Sequence, residues 1–356
     1  MLRECPRVGG LAPKFSLSYS ALAEQVRARD KNDVIAADYE ELAKMVERAS
    51  EEDEEYQIDD ELSEKVDEAI RYMDLRAGSI AVFGKRRRTI VAGDVDMAHM
   101  KMSANDLTEA FSNLCQTTFS TPRFDVDDSD GDGSPYVSMT MTSTRRYAAQ
   151  CATATEKKEG ETVNGDHITT FDHKEDYFYP LISDGMGSGR EAALTSRICG
   201  GFLERMLRAY NPKDLSIEML SNLIRNKGSE CFATIDLLEI DLLNGQASFV
   251  KGGAAPSYIL RDGNLFRIVS NSMPIGITRE INAEEIKFEL REGDVIVMFS
   301  DGVAQSVEDG IWLVNLLNGQ WEEDMQKMAA RILREARANN ARGDDMTVGL
   351  VRVTAA

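Results

Sequence analysis

Apolar positions along this chain change their period twice, and each change marks a different kind of element. Over Tyr39–Ala49 and Asp60–Met73 they recur at helical spacing, as Leu42, Met45 and Val46, then Leu62, Val66, Ile70 and Met73. The acidic run Glu51–Glu55 between them reads as a solvated linker. Ahead of both, Lys14–Leu22 predicts a short strand. From about Ala77 the period shortens. Ser79–Phe83 and Thr89–Ala92 predict strands around the turn-like Gly84-Lys85-Arg86. Leu107, Ala110, Phe111 and Leu114 predict a helix capped by Ser103 and reaching Cys115. Tyr136–Met141 and Arg146–Ala152 predict a strand pair.

From about Lys158 the pattern is rich in strands, with helices inserted at Ser188–Tyr210 and Ser216–Asn226. Phe202, Leu203, Met206 and Leu207 mark the buried stripe of the first of these. Strands are predicted at Phe232–Leu242, Ala247–Val250, Ser257–Leu260, Phe266–Val269, Ile286–Leu290, Val295–Ser300 and Met346–Val353. Late helices are predicted at Gly310–Leu317 and Glu322–Ala338. The fold class is α+β. Residues 1–75 are an N-terminal linker and helical segment, 76–157 a small α+β regulatory module, and 158–356 a helix–sheet–sheet–helix sandwich.

Charge narrows the function. The 356 residues carry 41 basic and 61 acidic side chains, a net charge of −20, which argues against nucleic acid or anionic lipid as a partner. Cys5, Cys115, Cys151, Cys199 and Cys231 are scattered and lack Cys-x-x-Cys spacing, so a reducing cytoplasm is expected rather than a disulfide framework or zinc site. No run approaches the roughly 20 apolar residues of a membrane span. Arg86, Arg87 and Arg88 form the one dense basic cluster; they read as an exposed hairpin tip, with an anion or partner site as the alternative.

The candidate chemistry lies in carboxylates at strand ends. The apolar run from Tyr177 stops at Asp184-Gly185, the run from Val295 stops at Asp301-Gly302, and Asp344-Asp345 opens the run to Val353. A lone Asp-Gly is usually a turn. Several gathered from distant segments, beside glycines that let backbone approach, suit hard divalent cations. Asp128-x-Asp130-x-Asp132-Gly133 imitates half a calcium loop, but its twelfth position is Met139, so it reads as a solvated loop. Gly185, Gly187 and Gly189 lack dinucleotide-binding spacing. His167 reads as a surface or structural histidine, with a general acid as the alternative. Gly252–Pro256 reads equally as a substrate-groove lining or a tight bend.

Asp184-Gly-Met-Gly-Ser-Gly189, Ser300-Asp-Gly302 and Asp344-Asp-Met-Thr347, in this order, resemble the metal-dependent serine/threonine phosphatases of the protein phosphatase 2C superfamily. The sporulation stage II protein E type is the nearer likeness, supported by Val163–Asp166, Glu230–Asp241, Gly253–Ser257 and Met273–Ile277. The resemblance implies two divalent cations, Mn²⁺ or Mg²⁺, and hydrolysis of a phosphoserine by a hydroxide bridging them. It assigns the bridging carboxylate to Asp184 and a carbonyl ligand to Gly185. It assigns ligands of the second ion to Asp301 and Asp344, and an acidic position near the first to Asp166. Asp345, where many relatives carry asparagine, is a supporting residue. The resemblance further implies a phosphorylated anti-anti-sigma protein as substrate, a homodimer, and a cytoplasmic location or the cytoplasmic part of a membrane-anchored protein. A switch in the helical pair at 188–226, through Ser188, Phe202 and Met206, is also expected. The alternatives are a non-catalytic dimerising scaffold and a phosphatase of broad specificity.

Overall fold

Helix α1 (Asp60–Tyr72) begins where the Asp59 carboxylate accepts the Leu62 amide at 3.0 Å. Its buried Leu62, Val66 and Ile70 lie on one face, as their spacing requires. Helix α2 (Ala104–Cys115) opens with a reciprocal cap between Ser103 and Asp106 and buries Leu107, Phe111 and Cys115. Both helices share a core with a four-stranded antiparallel sheet of order β1-β2-β4-β3, formed by β1 (Ser79–Phe83), β2 (Thr89–Asp96), β3 (Arg123–Val126) and β4 (Tyr136–Thr142).

The computed structural model describes residues 57–126, 136–173, 176–209, 211–226, 231–277, 283–304, 310–319, 321–339 and 343–356, all within one unit, Asp53–Ala356. The strand expected at Lys14–Leu22, the helix at Tyr39–Ala49, the run Glu51–Glu55, Cys5 and the Asp128–Gly133 loop lie outside the described residues. Helix α1 packs into the core of the small module rather than serving as a linker.

A second difference concerns strand β5 (Tyr147–Glu156). It does not pair with β4, as the expected strand pair required. It pairs along its whole length with β14 (Met346–Ala355), from Tyr147 opposite Ala355 to Glu156 opposite Met346. Alternating apolar residues identify a strand but not its partner, and β14 offers a long, buried ladder.

The remaining elements are β6 (Asp166–His173), β7 (Tyr177–Gly185), α3 (Gly189–Arg208), α4 (Lys213–Asn226), β8 (Ala233–Asp241), β9 (Gln246–Gly252), β10 (Ser257–Arg261), β11 (Asn264–Ile268), β12 (Glu284–Glu289), β13 (Val295–Phe299), α5 (Ile311–Gly319) and α6 (Met325–Asn339). They build two five-stranded antiparallel sheets, β12-β9-β8-β7-β6 and β11-β10-β13-β14-β5. Alternation along β7 divides the layers. Leu181 packs with Leu203, Leu207 and Leu220 of α3 and α4, whereas Ile182 packs with Ile296, Met298 and Val351 in the seam between the sheets. Leu313, Met328 and Ile332 of α5 and α6 cover the second sheet at Val297, Phe299 and Leu350. The layering is helix–sheet–sheet–helix, as the sequence pattern predicts. No helix among the described residues is long and apolar enough to cross a membrane.

Arg86 and Arg87 are not an exposed hairpin tip. The Arg87 guanidinium straddles Asp176, with Nε 2.9 and 3.0 Å from the two carboxylate oxygens. Arg86 donates to Asp241 at 2.8 Å and stacks 3.9 Å above the Tyr177 ring. Arg88 Nη1 donates to the Cys115 carbonyl inside the module. Asp176 and Asp241 are 3% and 6% exposed, so the module is fastened to the β7–β8 end of the first sheet by buried carboxylates. Removing one partner of such a pair strands the other charge. Arg87→Ala should therefore cost about 3 kcal/mol, the low end for a buried pair because Arg87 is itself about a third exposed. Lys101→Ala, which breaks the exposed pair with Asp74, should cost less than about 1 kcal/mol. Thermal melting of the two variants checks the contrast.

Candidate metal centre

Four strand ends deliver carboxylates to one mouth of the seam. Asp166 opens β6 and lies directly opposite Asp184 on β7. Asp301 follows β13, and Asp344 precedes β14. Asp184 is within side-chain hydrogen-bonding reach of both Asp166 and Asp301, and Asp344 acts on Asp301 through its charge. Thus Asp166, Asp184, Asp301 and Asp344, drawn from both sheets, meet at one place.

The surrounding contacts hold that place rigidly. Ser300 Oγ donates to Asp166 at 2.6 Å and accepts the Thr347 amide at 3.0 Å, tying β6, β13 and β14 together. The Asp184 amide donates to Thr234 Oγ1 on β8. Gly185 is packed against the Ala192 carbonyl of α3 so closely that no side chain fits, and Gly302 meets the Asp345 carbonyl in the same way. The first turn of α3 therefore rests directly on the backbone whose carbonyl is a candidate ligand.

Asp345 lies near enough for its charge to raise the Asp166 pKa, but its own oxygens are engaged by backbone. Its two oxygens accept the Lys158 amide at 2.8 Å and the Gly165 amide at 3.0 Å, clamping the segment that leads to Asp166. His167 faces the opposite side of β6, where its ring meets Gly200 of α3. Burial and the nearby Arg197 hold its pKa below the usual histidine value. Ser188 is exposed and donates to Glu161 rather than capping α3. The buried stripe of α3 runs through Cys199, Leu203 and Leu207, with Phe202 half-buried against it and Met206 also half-buried. Within the helical pair, it is the Ala192 carbonyl that lies against Gly185, the residue after Asp184.

Crowding of like charges sets the electrostatics. Burial first, then Asp166 and Asp301, push the Asp184 carboxyl up to about 9. Burial pushes Asp166 up to about 6, opposed by the Ser300 hydrogen bond. Asp301 is raised by burial and by Asp344. Lys158 Nζ, 3.6 Å from Asp344, is the nearby cation, at the rim. Among the described residues no three His, Cys, Asp or Glu side chains close around a single ion position. The candidate donors are all oxygens: the carboxylates of Asp166, Asp184, Asp301 and Asp344 and the carbonyl of Gly185. That set suits a small hard cation that keeps several of its waters, such as Mg²⁺ or Mn²⁺. In donor chemistry the residues fit a hard divalent cation.

Beside Asp344 opens a cleft of about 670 Å³ lined by Lys157, Lys158, Glu161, Gly302 and Arg337 among others. A cavity of about 650 Å³ at the opposite end of β7, beside Tyr177, Tyr179 and Lys213, contains none of these carboxylates. The sequence pattern missed Ser300 as the anchor of Asp166. Its position between the last apolar residue of β13 and Asp301 was the available signal. It also missed a wholly buried lysine, Lys251.

Two packed sheets flanked by helices, with aspartates gathered at one mouth of the seam, define a phosphatase 2C fold. Over 97% of this chain the structure matches the solved phosphatase 2C domain, with a fragment of the regulatory domain, of the cell fate determinant SpoIIE from Bacillus subtilis. That match has a TM-score of 0.67, 22% identity and 98% coverage of the solved chain. The family model for stage II sporulation protein E matches residues 174–354, just over half of the sequence, and the chain belongs to that family. It is 29% identical over 225 residues to stage II sporulation protein E of Bacillus subtilis (strain 168), and 27% identical over 225 residues to that of Priestia megaterium. Each alignment covers 61% of this chain but only 27% and 38% of the respective relative, so the chain spans well under half of their length.

The raised carboxyls have a consequence for stability. In the unfolded chain these groups lose protons near pH 4, while folded Asp166 and Asp184 keep theirs to about 6 and 9. These two carboxyls therefore contribute a loss of stability to the metal-free fold as pH rises from 4 through 9. Melting temperatures in EDTA should fall from pH 6 to pH 9, and Mn²⁺ should flatten the decline. A pH-independent melting temperature in EDTA would contradict this electrostatic picture.

Asp184→Asn and Asp345→Asn should separate in kind. The first should lower Mn²⁺ affinity more than about 100-fold with little effect on folding. The second opposes an amide NH₂ to a backbone N–H and should cost about 1–3 kcal/mol of stability, with a smaller change in affinity. Calorimetric Mn²⁺ titration and thermal melting of both variants test this.

Proposed function

We propose that this chain is a divalent-metal-dependent protein serine/threonine phosphatase whose substrate is a phosphorylated anti-anti-sigma protein. The observation that carries the reading is the convergence of Asp166, Asp184 and Asp301 into hydrogen-bonding reach, with Asp344 acting on the same cluster, at a cost in charge repulsion that two cations would relieve. Family membership supports the reaction; the substrate class and a homodimer are what the sequence resemblance implies. When bound, the two cations would supply charge for the phosphoryl oxygens and bring the pKa of a bound water toward neutrality. Asp184 would bridge the two positions, the Gly185 carbonyl would complete the first, and Asp301 and Asp344 would hold the second. Asp166, fixed by Ser300, would orient water at the first position. Lys157 and Lys158 would meet the incoming phosphoprotein at the cleft beside Asp344, where they offset part of the chain's net charge of −20.

The test is turnover of p-nitrophenyl phosphate, then of a phosphorylated anti-anti-sigma protein, with Mn²⁺, with Mg²⁺ and with EDTA. EDTA should abolish both activities and Mn²⁺ should restore them, while iodoacetamide should leave them largely intact. Absence of turnover on both substrates at saturating metal would favour a non-catalytic scaffold. Turnover of p-nitrophenyl phosphate and of unrelated phosphoproteins at the same efficiency would favour broad specificity.

A further inference from the structure

The most unusual buried group in the described structure is Lys251, with no exposed surface. Its ammonium lies 2.8 Å from Asp236, 2.8 Å from Ser257 Oγ and 2.9 Å from the Ala255 carbonyl. Ser257 Oγ in turn donates to Asp236 at 2.8 Å. Asp236 and Ser257 are 1% and 0% exposed. An ion pair this deep is a poor source of stability, because desolvating both charges consumes most of the attraction, and apolar replacements of similar volume are often as stable or more so. Something other than net stability is therefore the better account of its presence.

Register gives the reason. On the first sheet, Asp166, Asp184 and Thr234 lie opposite one another across β6, β7 and β8. The next row on the same face is Ile168, Ile182, Asp236 and Lys251. It lies about 7 Å further into the seam, two residues along each strand. Ser257, however, belongs to the second sheet. It opens β10, whose next residue, Tyr258, pairs with Val297 of β13, and β13 runs directly to Ser300 and Asp301. Lys251 and Asp236 thus join the sheet that carries Asp184 to the strand beside the one that carries Asp301. Ser300 and Asp166 make another polar tie across the seam at this end.

We propose that Lys251, with Asp236 and Ser257, is a positioning residue: a polar strut that fixes the separation of the two sheets, and with it the distance between the Asp184 and the Asp301–Asp344 halves of the metal centre. The proposal rests on the metal-dependent reading given above. Apolar contacts in the seam carry no directional constraint, whereas the Lys251–Ser257 and Ser257–Asp236 hydrogen bonds, which reach from the first sheet to β10, fix direction as well as distance. A bridging carboxylate that must reach two ions is sensitive to a change of sheet spacing that a folded core would tolerate.

The experiment uses the full chain and the double variant D236L/K251M, which removes both charges together and so avoids an orphaned ion. Three quantities are read: melting temperature, Mn²⁺ affinity by calorimetry, and the exchange-coupled signal of a Mn²⁺ pair by electron paramagnetic resonance. The double variant should melt within about 5 °C of wild type, bind Mn²⁺ about 10–100-fold more weakly, and lose the coupled signal. Ser257→Ala, which leaves the ion pair but cuts its link to the second sheet, should shift Mn²⁺ affinity in the same direction by a smaller factor, and it keeps the test open should the double variant fail to fold. Wild-type affinity and coupling in both variants, or in Ser257→Ala alone if the double variant does not fold, would overturn the strut. Failure of the wild-type chain itself to bind Mn²⁺ would overturn the metal-dependent reading and the strut with it, so the two failures are distinguishable.

Discussion

Mutual repulsion of carboxylates at the mouth of a two-sheet seam is the constraint on which the rest of this structure depends. Asp184 cannot share space with Asp166 and Asp301 as three full anions, and burial deepens the conflict. The fold holds them together nonetheless by spending directional contacts around them. Ser300 anchors Asp166, Thr234 receives the Asp184 amide, and Asp345 clamps the backbone at Lys158 and Gly165. Such an arrangement is costly without cations and well prepared for them, which is how a preorganised site differs from a stable core.

The seam explains why the ligands come from such distant segments. A helix–sheet–sheet–helix sandwich places the ends of β6 and β7 from one sheet beside the end of β13 and the start of β14 from the other. Each sheet contributes part of the carboxylate cluster, so the candidate site is assembled only when the two sheets are correctly spaced. Helix α3 adds a third dependence, because its Ala192 carbonyl is seated on Gly185. Any displacement of that first turn must move a candidate ligand. The N-terminal module is attached at the other end of β7 and β8, through Arg86 and Arg87. The same two strands therefore carry the module contact at one end, and Asp184 with its supporting Thr234 at the other.

Much of this was legible in the sequence because strand ends are marked locally. The apolar runs ending at Asp184-Gly185 and Asp301-Gly302 gave both the strands and the carboxylates, and helical spacing gave Leu62, Val66 and Ile70 as a buried face. Pairing was not legible, since β5 meets its partner β14 from the far end of the chain and alternation is silent about partners. The arginine cluster was misread for the same reason: its carboxylate partners Asp176 and Asp241 are remote in sequence. Lys251 fell one residue beyond the strand expected at Ala247–Val250, whereas β9 runs to Gly252. The overlooked signal was phase, because Lys251 shares the face of Phe249, which lies in the seam, and Asp236 shares that of Leu238 and Ile240.

The most direct test is anomalous diffraction at the manganese edge from crystals of the chain grown with Mn²⁺. Two adjacent anomalous peaks are predicted, bridged by Asp184, one touching the Gly185 carbonyl and the other touching Asp301 and Asp344. A single ion elsewhere, or none between these aspartates at saturating Mn²⁺, would contradict the assignment of this site.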